Sequence, residues 1–173
     1  MEVDLALLFK ESRFAIAEKT EFAVCECKTF DTFEKKDIDR MLSLAANFPG
    51  AFLVFATLRR TLKPREKRLI ARVANRGRRY WKAERPYNPV LVLTGNELLA
   101  EWHPDSAWRD LGGKHAVLAQ QMYRAEGLLP FADATQQLYL DLQPWHEWLR
   151  KVWAKKQGKQ ALAPSIPSPQ TVP

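Results

Sequence analysis

Residues 22–28 read Phe-Ala-Val-Cys-Glu-Cys-Lys. The run is apolar, β-prone and too short for a helix, so it predicts a buried strand. Side chains alternate across a strand, which sends Glu26 and Lys28 to one face and Cys25 and Cys27 to the other. An acid and a lysine at the end of an apolar strand are expensive unless they are paired or used. The plain reading is an intrastrand ion pair, and an acid-x-Lys triplet arises by chance roughly once per 150 residues. A second triplet, Glu34-Lys35-Lys36, reads as the solvated first turn of a helix.

Upstream, residues 2–8 (Glu-Val-Asp-Leu-Ala-Leu-Leu) read as a short, mostly apolar strand carrying Asp4. Residues 10–20 admit either a hairpin arm around Phe14–Ala17 or a loop insertion. Asp4 and Glu26 then sit on two strands able to pair through that excursion, with two carboxylates and Lys28 at one sheet edge. Two carboxylates bind Mg²⁺ through hard oxygen ligands. Such an ion lowers the pKa of a bound water and neutralises charge on a phosphodiester. A lysine beside it orients the water and stabilises charge in the transition state.

Downstream, residues 29–32 break the chain, with Asp31 or Thr32 as the N-cap of a helix over about 33–47. Ile38, Met41, Leu42 and Ala45 keep helical spacing in it, and Pro49-Gly50 ends it. Residues 51–57 (Ala-Phe-Leu-Val-Phe-Ala-Thr) form a continuous apolar run, the mark of a strand buried on both faces. Pro64 opens a helix over 64–83 with Leu69, Ile70, Val73, Tyr80 and Trp81 toward the core. Gly77 weakens it by about 1 kcal/mol relative to Ala and marks a point for a break. Residues 89–94 are another buried strand, and 96–102 a short helix. This alternation implies an α/β layer with a partly parallel sheet. Beyond Pro104 only helices are expected: 113–126, and 133–155 with Leu138, Leu142, Trp145, Leu149 and Val152 in a stripe, whose Trp145–Trp153 stretch reads as an amphipathic helix that docks on the domain or, alternatively, as a partner-binding face. The chain therefore divides into an α/β core over 1–103, a helical extension packed on it over 104–157, and a Pro-rich disordered tail over 158–173.

The 173 residues fit one domain, and 46% hydrophobic content excludes wholesale disorder. No apolar run approaches the roughly 20 residues of a membrane span, and the acidic start is unlike a signal peptide. A one-residue gap makes a disulfide between Cys25 and Cys27 geometrically poor, so a reducing cytoplasm is expected. With no further cysteine and no histidine at ligand spacing, the pair is not a zinc site and reads as two small buried hydrophobes. His103, His115 and His146 are scattered and read as surface or packing residues. The absence of a P-loop, a GxSxG elbow and a dinucleotide fingerprint argues against an NTPase, a serine hydrolase and a Rossmann enzyme.

The net charge of +7 is uneven. Between Arg59 and Arg85 stand 12 Lys+Arg and two acids, 12 − 2 = +10, so the rest of the chain sums to 7 − 10 = −3. A local basic block points to a polyanion, although a solvated helix face is the commoner explanation. Arginines pair with phosphates, and the neighbouring Tyr80 and Trp81 are aromatics of the kind that stack on bases.

The run EVDLALL … FAVCECKTF, then a helix, then GAFLVFATL, resembles the PD-(D/E)XK nuclease superfamily over about residues 1–100. The strand and helix PVLVLTGNELLAEW also look like the end of such domains in restriction-type and helicase-associated nucleases. The resemblance implies a restriction-endonuclease-like mixed sheet flanked by helices, with the C-terminal helices added. It implies Mg²⁺ (or Mn²⁺) held by Asp4, Glu26 and the Cys27 main-chain carbonyl, Lys28 as the catalytic lysine, and Asp37 and Arg40 as accessory residues. DNA is the implied partner, with Arg59, Arg60, Arg76, Arg78, Arg79 and Lys82 on its backbone, in defence, restriction or repair. The family core begins with a helix and a strand ahead of the first acid, whereas Asp4 is the fourth residue here. The expectation is a piece of a longer protein, a sequence whose start is misplaced, or a homodimer or larger assembly in which another subunit completes the sheet. The other expectation is a catalytically degenerate nucleic-acid-binding or protein-interaction module on the same fold.

Overall fold

A computed structural model describes residues 4–13, 17–83, 85–100, 104–122 and 127–161. Residues 2–3 of the expected first strand, 14–16 of the expected arm, 101–103 with His103, 123–126 of the expected helix and 162–173 of the expected tail lie outside the described residues, whereas 158–161 of that tail are helical and not disordered.

The excursion is a long hairpin. Strand β1 (Leu5–Arg13) pairs antiparallel with β2 (Ala17–Lys28), Leu5 opposite Cys25 and Arg13 opposite Ala17. Helix α1 (Lys35–Asn47) leads to β3 (Phe52–Thr57), which lies parallel to β2, and α2 (Pro64–Lys82) leads to β4 (Val90–Leu93), parallel to β3. The sheet is mixed and four-stranded, in the order β1-β2-β3-β4. The apolar run 52–57 is explained by its place, since β3 lies between two strands and every one of its residues is buried.

The pleat sorts β2 as its alternation requires. Val24 joins Leu53, Phe55, Val90 and Val92 in the main core, against Ile38, Met41 and Leu44 of α1 and Ile70, Val73 and Ala74 of α2. Ala23 and Cys25 face the other way, with Val54, Ala56, Leu91 and Ala132. After β4 come α3 (Gly95–Leu98), α4 (Pro104–Leu111), α5 (Gly113–Met122) and α6 (Leu128–Tyr139). Helix α6 seals the outer edge of β4 with side chains. The Val92 N–H donates to Thr135 Oγ1 at 3.1 Å, and Gln136 Nε2 donates to the Val90 carbonyl at 2.8 Å. Buried Glu97 ties three helices together by accepting from Trp108 Nε1 at 2.6 Å, Tyr139 OH at 2.5 Å and the Thr94 N–H at 2.7 Å.

Three expectations about helices need correction. Helix α2 runs unbroken through Gly77, which is buried against β4's lead-in: a Cβ there would meet the Asn88 carbonyl oxygen at 2.9 Å. Glycine is present for close approach and not for a break. The helix expected over 133–155 is two, α6 and α7 (Trp145–Ala161), because Asp141 takes φ 54° and Pro144 cannot continue a helix. The α1 N-cap is extended Glu34, and neither Asp31 nor Thr32.

Residues 1–142 form one compact unit, which includes α4–α6 together with the sheet, and 143–173 a second. Within the second unit Trp145 and Trp148 stack with ring centroids 5.1 Å apart. Among the described residues no helix is long and apolar enough to cross a membrane.

Candidate functional site

Strands β2 and β3 end at Lys28 and Thr57, and α1 and α2 start beyond those ends. In open α/β sheets ligands gather at the carboxyl ends of the parallel strands. Glu26 and Lys28 project there toward the first turn of α1. The turn is built by a reciprocal cap: Asp37, three residues beyond Glu34, turns its Oδ2 back to accept the Glu34 N–H at 2.8 Å. This holds Asp37 and, three residues on, Arg40 over the end of β2.

The result is a tight ionic cluster. Lys28 Nζ lies 3.0 Å from Glu26 Oε1 and 3.1 Å from Asp37 Oδ1. Arg40 Nη2 reaches both Glu26 oxygens at 2.5 Å and Asp37 Oδ1 at 3.3 Å. Glu26 is 1% exposed and Asp37 0%. Asp4, at the foot of β1, accepts the Cys27 N–H through Oδ2 at 2.7 Å, and its charge, with those of Glu26 and Asp37, acts on Arg40.

The electrostatics follow from these contacts. Burial opposes a charge on Lys28, but its hydrogen bonds to Glu26 and Asp37 outweigh that and raise its pKa, so it remains an ammonium. Burial alone would raise Asp37, yet the Glu34 N–H and Lys28 outweigh it and lower its pKa. Hydrogen bonding to Glu26 raises Arg40 further. A protonated Lys28 is no general base; it can orient a water or phosphate oxygen and offset negative charge.

The donor set suits a hard cation. Mg²⁺ is commonly held by one or two carboxylates, with waters and substrate phosphates completing its shell. Asp4 and Glu26 are two such carboxylates, and three acids (Asp4, Glu26, Asp37) face two cations (Lys28, Arg40), leaving an excess of one negative charge. Among the described residues no group of three or more His, Cys, Asp or Glu side chains is arranged around one metal position.

The basic block divides into inside and outside. Arg59 is bound to buried Glu66, Nη1 to Oε2 at 3.0 Å and Nη2 to Oε1 at 2.5 Å. Glu66 also accepts the Phe33 N–H at 2.8 Å and the Lys63 N–H at 2.7 Å, tying the approach to α1 to the start of α2. Arg78 is buried, with Nη2 3.4 Å from Gln136 Oε1 and 3.7 Å from Asp133 Oδ1. Arg76 donates to the Tyr80 hydroxyl at 2.8 Å and lies over that ring. Arg60, Arg79 and Lys82 are exposed, as are Arg65, Arg68 and Arg72, three cations of the block not singled out above. Residues 65, 68, 72, 75, 79 and 82 follow a 3-4-3-4-3 spacing along one helix face, and all but Asn75 are basic. That spacing was visible in the sequence. At about 1.5 Å per residue the ridge is roughly 26 Å long.

No family model, no curated protein and no solved structure matches this chain.

Proposed function

We propose that the chain is a metal-dependent nuclease that hydrolyses DNA phosphodiester bonds on a restriction-endonuclease-like fold. The observation that carries this reading is the convergence of Glu26, Lys28 and Asp37 at the carboxyl end of β2, with Asp4 hydrogen-bonded to the intervening residue, Cys27. Asp4, Glu26 and the Cys27 carbonyl would hold Mg²⁺ or Mn²⁺, which supplies an activated water and offsets phosphate charge. Lys28, held protonated, orients the attacking water and stabilises the extra negative charge of the transition state. Asp37 positions Lys28 by accepting from Nζ, and Arg40 holds Glu26 by both oxygens. The exposed ridge of α2 takes the phosphate backbone without reading sequence.

The test is cleavage of plasmid and single-stranded DNA with Mg²⁺ or Mn²⁺. Activity is expected in the wild type, none with a chelator, and none in Glu26→Ala or Lys28→Ala that keep the wild-type circular dichroism. Undiminished cleavage in both variants would overturn the assignment.

A second reading has its own observation. Arg40 already occupies both Glu26 oxygens, and Lys28 bridges Glu26 to Asp37. A cluster so paired also serves as a structural lock in a DNA-binding protein without catalysis. In that case DNA affinity survives Glu26→Ala and no metal dependence is seen.

A further inference from the structure

On the face of β2 away from the ionic cluster, Cys25 and Cys27 stand with their sulfurs 3.4 Å apart. Cys25 is buried and Cys27 exposed. Both line an apolar groove of about 600 Å³ with Leu5, Leu7, Ala56 and Leu93, wide enough to admit a small oxidant. We propose that this pair is a reversible disulfide site, oxidised by a hydroperoxide, and that the bridge loosens Asp4 from the cluster on the other face.

Strand geometry permits the bond at a strain. Two residues along a strand the Cα atoms stand about 6.6 Å apart, near the upper end of the roughly 4.4–6.8 Å that a disulfide spans. Closing the bridge puckers β2 at Glu26, which is paired with Phe55 of β3. It also moves the Cys27 N–H that Asp4 accepts. A strained bond of this kind is readily reduced, which makes the site reversible.

Exposure sets the order of events. The exposed Cys27 reacts first: its sulfur attacks one peroxide oxygen, and its proton passes to the oxygen that leaves. The S–O bond forms, the O–O bond breaks, and the leaving oxygen departs as an alcohol or water after taking that proton. Cys25 then attacks the Cys27 sulfur. The S–S bond forms, the S–O bond breaks, and hydroxide leaves as water with the Cys25 proton. Two electrons pass from the two thiols to the peroxide. A dithiol reverses the bridge by exchange.

The weakening of metal binding rests on the nuclease reading; the bridge itself does not. Full-length chain is treated with a small excess of hydrogen peroxide, alkylated with iodoacetamide, and weighed intact. The expected product is a monomer lighter by two hydrogens that takes no alkyl group, and dithiothreitol restores two alkylatable thiols. Cys25→Ala leaves Cys27 to gain oxygen without bridging. Alkylation of both thiols after oxidation, or bridges between chains, would overturn the site. In a second arm, Mn²⁺ affinity is expected to fall at least tenfold on oxidation of the wild type and to stay unchanged in peroxide-treated Cys25→Ala. A bridge that leaves Mn²⁺ affinity unaltered overturns the coupling alone, and the reduced protein's own Mn²⁺ binding reports separately on the nuclease reading.

Discussion

The division of the basic block makes a quantitative prediction. Arg68, Arg72 and Arg79 lie on the exposed ridge of α2, and Arg78, their neighbour in sequence, is buried against Gln136 and Asp133. Replacing the three exposed arginines by glutamine removes three of the phosphate contacts proposed for the ridge without disturbing the core. Each contact contributes about 0.7 to the slope of log affinity against log salt for single strands and about 0.9 for duplex. Six contacts (Arg60, Arg65, Arg68, Arg72, Arg79 and Lys82) give a duplex slope of about 5.4, or roughly a 10³-fold loss between 50 and 200 mM salt. The triple variant has a slope of about 2.7 and loses roughly 40-fold over the same range. Fluorescence anisotropy of a labelled oligonucleotide, with chelator present to prevent cleavage, reads both slopes. Arg78→Gln serves as the internal control, with the slope unchanged and the melting temperature lowered. An unchanged slope in the triple variant, or an equal drop in Arg78→Gln, would refute this division.

Other consequences concern the scaffold and pH. Glu66→Ala leaves the Arg59 guanidinium and the Phe33 and Lys63 N–H groups without their acceptor. Breaking a buried pair in this way costs about 3–5 kcal/mol, a melting temperature lower by roughly 6–20 °C, and a drop of under two degrees would show that the pair is not holding the fold. Gly77→Ala gains about 1 kcal/mol of helix propensity but drives a Cβ to 2.9 Å from the Asn88 carbonyl. The clash should win, for a net destabilisation of about 1–2 kcal/mol in urea unfolding, and a more stable variant would contradict the packing. Asp37 and Glu66 both have lowered pKa values; burial would raise each, but hydrogen bonds, led by the Glu34 N–H and by Arg59 respectively, outweigh it. Their contribution to stability is therefore fully present above the ordinary carboxylate range of about 4 and is lost as pH falls through the lowered values. Stability measured from pH 6 down to 2 should fall less steeply in Asp37→Asn, and an identical acid limb would remove Asp37 from the linkage. Lys28 works in the opposite direction: its raised pKa gives stability present below about 10.4 and lost as pH climbs above it.

The strands were legible because their burial is written in composition. The run 52–57 has no polar residue until Thr57, and the structure places it between two strands. The end of β2 was legible for a related reason: charged residues at 26 and 28 on an apolar strand demand partners, and period-two alternation told which face they share. Asp37 and Arg40 came only from the family resemblance, and the structure brings them against Lys28 and Glu26. What was not legible depends on contacts made at long range. Gly77 looks like a helix breaker until Asn88 is brought against it. Arg59 and Arg78 look like surface cations until Glu66, Asp133 and Gln136 arrive from other turns of the fold. The break at 140–144 was hidden because a stripe of large apolar residues continues in register across it, even though Pro144 was in plain view.

The ionic cluster is either a cation site or a closed set of ion pairs, and a titration with Mn²⁺, followed by loss of its free electron paramagnetic signal, separates the two. The expected result is saturable binding of Mn²⁺ to the reduced wild type, abolished in Asp4→Asn and Glu26→Gln and retained in Lys28→Met and in the triple ridge variant. Absence of saturable binding in the wild type, or binding unchanged by the loss of Asp4 and Glu26, would contradict the metal site and leave Arg40 and Lys28 as the only cations that Glu26 serves.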